Sequence, residues 1–153
     1  MQDEQLAHRV AGLLGGRTIA TAESCTAGRI AEVLACVESA VDFLRGGLVA
    51  YQDAVKHDLL GVVAESVLSV EAAAQMAAGA AELFDADVTV STTGVAGVES
   101  ADGIPPGTVY IGTSLGGRVA TTVSHFEGTP EEICEQARRK ALLDLIDRLE
   151  ASA

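Results

Sequence analysis

Aromatic side chains are scarce in this chain: they make up 3% of its 153 residues, with two Tyr, three Phe and no Trp. Single-stranded nucleic acids are held largely by bases stacked on aromatic rings, so that class of partner loses its main anchor. Basic residues are few as well. Ten Lys and Arg stand against 22 Asp and Glu, a formal net charge of −12. A field of that sign repels phosphate backbones and anionic membrane faces. The one basic cluster, Arg138-Arg139-Lys140, lies inside an acidic helical stretch, so neither nucleic acid nor membrane is expected as a partner. No run reaches the ~18 uninterrupted apolar residues of a membrane span, and the alanine-rich part from Glu71 to Leu83 is short and broken by charge. The opening residues, MQDEQLAHRV, lack the basic flank and apolar run of a signal peptide. Three cysteines (Cys25, Cys36, Cys134) are an odd number without metal-ligand spacing. Reduced thiols, a cytoplasmic location, no metal and no cofactor are the expectations.

What remains is a composition suited to a packed core: 48% hydrophobic and 21% charged. A chain of this length makes about one domain and buries roughly two thirds of its unfolded surface. Leu6, Val10, Leu13 and Leu14 recur at helical spacing until Gly15-Gly16 stops them. Thr18 to Ala22 is a short β-prone run, followed by Ile30, Val33, Leu34 and Val37 at helical spacing. Gly46 to Tyr51 reads as a strand, Asp53 to Leu60 as a short helix, and residues 69–84 as a long alanine-rich helix capped by Ser69. Val88 to Thr92 is a strand compatible with burial on both faces. After a Gly-rich loop from Gly94 to Gly107, Thr108–Ser114 and Arg118–Phe126 form a hairpin about Gly116-Gly117. Thr129-Pro130-Glu131-Glu132 carries a capping box and starts a last helix to about Glu150. Helices alternating with strands, plus a late hairpin, predict an α/β fold: one domain over residues 1–153, a three-layer α/β/α sandwich with a mixed β-sheet.

Open α/β sheets bind ligands where strand ends pass into helix starts, since amide N–H groups point outward there. Two segments fit: Ala22-Glu23-Ser24-Cys25-Thr26-Ala27-Gly28, and Thr92-Thr93-Gly94-Val95-Ala96-Gly97. On pattern alone, Ser24 or Thr26 caps a helix more often than it attacks a substrate. Cys25 reads as a small buried hydrophobe, and Lys56 and His57 as solvated residues of a helix surface. There is no P-loop, no G-x-G-x-x-G and no H-E-x-x-H.

Four segments together resemble a known family, the C-terminal domain of the competence/damage-inducible protein CinA, which also occurs alone as nicotinamide-nucleotide amidase. Ala22 to Gly28 resembles the family's A-E-S-C-T-G-G. Gly46 to Tyr51, with Lys56 and then Leu59-Leu60-Gly61, resembles G-G-V-V-x-Y-x-N-x-x-K. Thr93 to Gly97 resembles T-G-I-A-G, and Gly107 to Ile111 resembles G-x-V-Y-I. The similarity runs from about Thr18 to Arg148. It implies a metal-free amidohydrolase that converts nicotinamide mononucleotide to nicotinic acid mononucleotide and ammonia in the recycling of NAD-derived nucleotides. It also implies a nucleotide as small-molecule partner and self-association into a homo-oligomer. The nucleophile maps to Ser24, its base to Lys56 and an accompanying tyrosine to Tyr51. Glu23, Cys25, Thr26, Thr93, Gly94, Ala96 and Gly97 map to substrate binding.

The chain departs from the family at four places. Ala27 replaces a glycine, Asp53 an asparagine, and Val98-Glu99-Ser100-Ala101 the loop's usual P-G-G-G. Pro130 and Cys134 stand where the family often has arginines, with Arg138 or Arg139, one turn on, as the candidate replacements. These departures motivate the alternative reading, a catalytically silent or weakened homologue that serves as a nucleotide-binding or interaction module.

Overall fold

The computed structural model describes every residue from Met1 to Ala153. Five strands form one sheet in the order β2-β1-β3-β4-β5: β1 (Ile19–Glu23), β2 (Leu44–Val49), β3 (Val88–Gly94), β4 (Thr108–Leu115) and β5 (Arg118–His125). β1 runs parallel to both β2 and β3, whereas β3–β4 and β4–β5 are antiparallel. The sheet is mixed, as the alternation of elements predicted.

Helices α1 (Asp3–Leu14), α2 (Arg29–Ala35) and α6 (Pro130–Ala151) cover one face. Leu6, Val10, Leu34, Ala137, Leu145 and Leu149 meet Ile19, Val88, Val90, Val109 and Ile111 there in the larger of two apolar clusters. Helices α4 (Asp53–Leu60) and α5 (Val70–Phe84) cover the other face around a smaller cluster of Ala22, Leu60, Val62, Ala72, Met76 and Ala80. That second layer lies close to the sheet because its side chains are small. Along β3, Thr89, Ser91 and Thr93 alternate with the valines. Their hydroxyls donate to the carbonyls of Ala77 (2.7 Å), Ala73 (2.6 Å) and Val67 (2.7 Å), so buried polar atoms find partners without widening the gap. The alanine stripe of α5 is therefore a core face. Gly79 lets α4 rest on α5: a Cβ there would lie 2.0 Å from the Leu60 carbonyl oxygen.

The helix boundaries follow their caps. Ser69 Oγ accepts the Ala72 N–H at 3.0 Å. The Thr129–Glu132 capping box closes reciprocally, each bond 3.2 Å, with Pro130 in the first turn. Two elements differ from expectation. β2 occupies Leu44–Val49 rather than Gly46–Tyr51: the Ala50 N–H makes a last bond to the Glu23 carbonyl (2.8 Å), and Tyr51 then leaves the sheet to open α4. A one-turn helix α3 (Ala40–Phe43) precedes β2 and is too short to leave a periodic trace. No helix is long and apolar enough to cross a membrane.

The topology creates a crevice. From β1 the chain passes through α2 and α3 to β2 on one side. It returns through α4 and α5 to β3 on the other. The carboxyl ends of β1 and β3 therefore open side by side where the connections diverge, the place where open α/β sheets form ligand sites.

Candidate active site

Both predicted turns meet at this crevice. A cavity of about 360 Å³ is lined by Ser24 and Cys25 from the turn after β1, Tyr51, Asp53 and Lys56 from the entrance and body of α4, and Gly94 to Gly97 from the end of β3. Val67 and Leu68 form one wall, and Glu99, Ala101 and Asp102 the rim.

Ser24 does not cap a helix. Its N–H donates to the Thr92 carbonyl at 3.0 Å, tying the turn to β3, while α2 begins beyond it with Gly28 at the cap position and no side-chain cap. The amide N–H groups of Cys25 and Thr26, next in the chain, donate to no acceptor in the protein. A serine followed by free amides at a strand end can attack a carbonyl and stabilise the oxyanion that forms.

The turn is held from below by Glu23, which is fully buried. Its carboxylate accepts four hydrogen bonds: from Thr21 Oγ1 (3.0 Å), Thr26 Oγ1 (2.7 Å), Ile30 N (2.9 Å) and Ala31 N (3.0 Å). The last two are first-turn amides of α2, so the carboxylate also compensates the positive end of that helix. Glu23 → Ala would leave these buried donors without acceptors. We expect a loss of at least ~3 kcal/mol in urea unfolding, with Glu23 → Gln intermediate.

Glu23 thus holds the fold of the turn and does not line the cavity, where the family resemblance implied substrate binding, because its acceptor sites face inward. Two further assignments change for the same reason. The Thr26 hydroxyl is shared between Glu23 and Thr92 Oγ1 (2.8 Å), and that of Thr93 is bonded to Val67; both side chains are buried outside the cavity. Cys25 lines the cavity, but burial, reinforced by Cys134, pushes its thiol up to about 12. It stays protonated and is no nucleophile. Gly94, Ala96 and Gly97 line the cavity. Gly94 is required there, since a Cβ would lie 2.6 Å from the Thr108 carbonyl oxygen.

Lys56 is the largest departure from the pattern reading. It is 3% exposed, not solvated. On α4 it shares the inward face with Leu60, four residues on, so a lysine occupies a core position of an amphipathic helix. The closest carboxylate oxygen, Asp53 Oδ1, is 4.0 Å from Nζ, and Nζ donates to no acceptor in the protein. Burial lowers its pKa below the ordinary 10.5; Asp53 and then Cys25 oppose that shift more weakly. A lysine in this setting gives up its proton more readily than one in water. Tyr51 stands at the mouth, 66% exposed, and its hydroxyl bonds neither Ser24 nor Lys56.

Ala27 has φ +49°, so the position of the replaced glycine does use left-handed backbone. Ala27 → Gly should raise stability by about 1 kcal/mol in a denaturant midpoint comparison, because the Cβ strain disappears. Pro130 begins α6 at its N-terminus. Cys134 donates its thiol to the Cys25 carbonyl (3.0 Å), bracing the Ser24 turn where the family often has an arginine. The proposed replacements do not take over: Arg138 and Arg139 both pair with Asp3 of α1 (2.7 and 3.1 Å), away from the cavity. Val67, Leu68 and Asp102 escaped the sequence reading. They come from irregular segments whose position is set by tertiary packing, and no spacing signals them.

Among known proteins, the model of the CinA C-terminal domain family matches residues 3–149. Protein YdeJ of Escherichia coli is 39% identical over 137 residues, covering 86% of this chain and 80% of YdeJ. A CinA-like protein of Mycolicibacterium gilvum is 40% identical over 141 residues; the match takes in 88% of this chain but 33% of that longer protein. The crystal structure of a CinA superfamily protein from Klebsiella pneumoniae superposes with a TM-score of 0.94 at 32% identity, covering 99% of each chain. Sequence, fold and the turn around Ser24 agree: the chain belongs to the CinA C-terminal domain family.

Proposed function

We propose that the protein is an amide hydrolase in which Ser24 is the nucleophile and Lys56 its base. The observation that carries this reading is Lys56 itself. A buried lysine with no acceptor in reach and a lowered pKa, in the same cavity as a strand-end serine, has little structural use and a direct chemical one.

In the first step Lys56 takes the Ser24 proton as Oγ attacks the carboxamide carbon. The amide of Cys25 receives the developing oxyanion. Collapse breaks the C–N bond, and ammonia leaves with the proton from Lys56. Water, deprotonated by Lys56, then attacks the Ser24 ester; the C–O bond breaks and Ser24 recovers its proton, releasing the carboxylic acid. Family membership supports a ribosylated nicotinamide carboxamide as the substrate class, with nicotinamide mononucleotide as the first compound to try. Tyr51, exposed at the mouth, suits contact with the pyridinium ring through cation–π attraction.

The test is ammonia release on incubating purified protein with nicotinamide mononucleotide and, separately, nicotinamide riboside. Release with appearance of the matching acid is the expected result. A folded protein that binds either compound but releases no ammonia would overturn the hydrolase reading in favour of a binding module.

A further inference from the structure

Resting on that reading, we propose that the cavity selects a phosphate-free, cationic pyridinium carboxamide, a nucleoside rather than a nucleotide. Four charged residues line it: Asp53, Glu99 and Asp102 against Lys56 alone. The lining therefore carries a formal charge of −2, and it becomes more negative whenever Lys56 is the free base needed for attack.

No arginine lines the cavity. Arg29 comes nearest in the chain to the Ser24 turn, but its guanidinium is held by Glu131 (2.9 Å) and the Thr26 carbonyl (3.2 Å). Arg138 and Arg139 are committed to Asp3, Arg9 to Glu150, and Lys140 to Asp144. Phosphate monoesters are usually gripped by bidentate arginines or by backbone amides backed with positive charge. Here the amides of Ala96 and Gly97 have no partner in the protein. They precede Glu99 and Asp102 in the same loop, however, so a dianion on them would sit near two carboxylates. Sugar hydroxyls can satisfy the same donors without that repulsion. A pyridinium ring is attracted by the rim that repels a phosphate, and a molecule carrying both groups loses the benefit.

The experiment compares nicotinamide riboside with nicotinamide mononucleotide at low ionic strength, by kcat/KM in the wild type and by calorimetric binding to the Ser24 → Ala protein. We expect the riboside to be favoured at least about tenfold in both readouts, with the preference shrinking as salt rises. In an E99Q/D102N double variant it should fall several-fold, with unfolding unchanged because both side chains are exposed. Equal or better use of the mononucleotide would overturn the inference while leaving the amidase intact. If neither compound is hydrolysed, the amidase reading fails and binding decides: tighter riboside binding supports charge selection, whereas equal binding, tighter mononucleotide binding or none overturns it. Arg29 → Ala separates the competing explanation. Loss of mononucleotide binding in that variant would mean that Arg29 swings from Glu131 to a phosphate, and would also overturn the proposal.

Discussion

Ser24 → Ala should lower kcat/KM for ammonia release by at least ~10³-fold while the protein folds and still binds its substrate. The substitution removes one oxygen from a turn whose shape does not depend on it. The backbone is fixed by the Ser24 N–H bond to Thr92, by the four bonds to Glu23 and by the Cys134 thiol on the Cys25 carbonyl. The Ser24 hydroxyl has no hydrogen-bond partner in the protein, so no buried group is orphaned when it goes. A loss of activity with unchanged calorimetric binding assigns the hydroxyl to the chemical step. Retained activity would show that Ser24 is incidental and that water attacks directly.

Lys56 → Met should have two effects of opposite sign. Turnover falls at least ~10²-fold because the general base is gone. Stability near neutral pH rises by about 1 kcal/mol, since a desolvated amine with only Asp53 nearby gives way to an apolar side chain of similar length. The pH dependence follows from linkage. Folding lowers the Lys56 pKa, so between the folded value and 10.5 the unfolded chain binds more protons than the folded one. The folded state therefore carries the full penalty below its own pKa and gains stability as pH rises through it toward 10.5. The difference in urea midpoint between wild type and Lys56 → Met should shift in favour of the wild type as pH rises across this range, because Cys25 and Cys134, whose raised pKa values act in the opposite direction above 9, are common to both proteins. A variant that is both inactive and less stable would mean that Lys56 supports the fold.

Much of the architecture was legible because local signals agreed with tertiary demands. The capping box at Thr129, the Ser69 cap and the alternating β-branched residues of β3 each have a counterpart in the structure. The site was legible only in part, and for physical reasons. Lys56 lies on a short helix with polar neighbours, and nothing in its spacing separates a solvated lysine from one turned inward beside Leu60; the family motif singled it out. Glu23 belongs to the same motif, yet its role is in the interior of the turn, a distinction that depends on where its four donors lie. The acidic rim arises from Glu99 and Asp102 in a loop without periodicity and from Asp53 on α4. These residues meet only when the ends of β1 and β3 are brought together.

The chain contains only two lysines, Lys56 and Lys140, which makes one measurement decisive: NMR titration of protein labelled at the lysine side chains, with Lys140 → Arg to assign the signals. Lys56 should titrate below 10.5, and the acid limb of kcat/KM should follow the same transition. A Lys56 signal that titrates at or above 10.5, or an acid limb that persists unshifted in Lys56 → Met, would contradict its role as the base that activates Ser24.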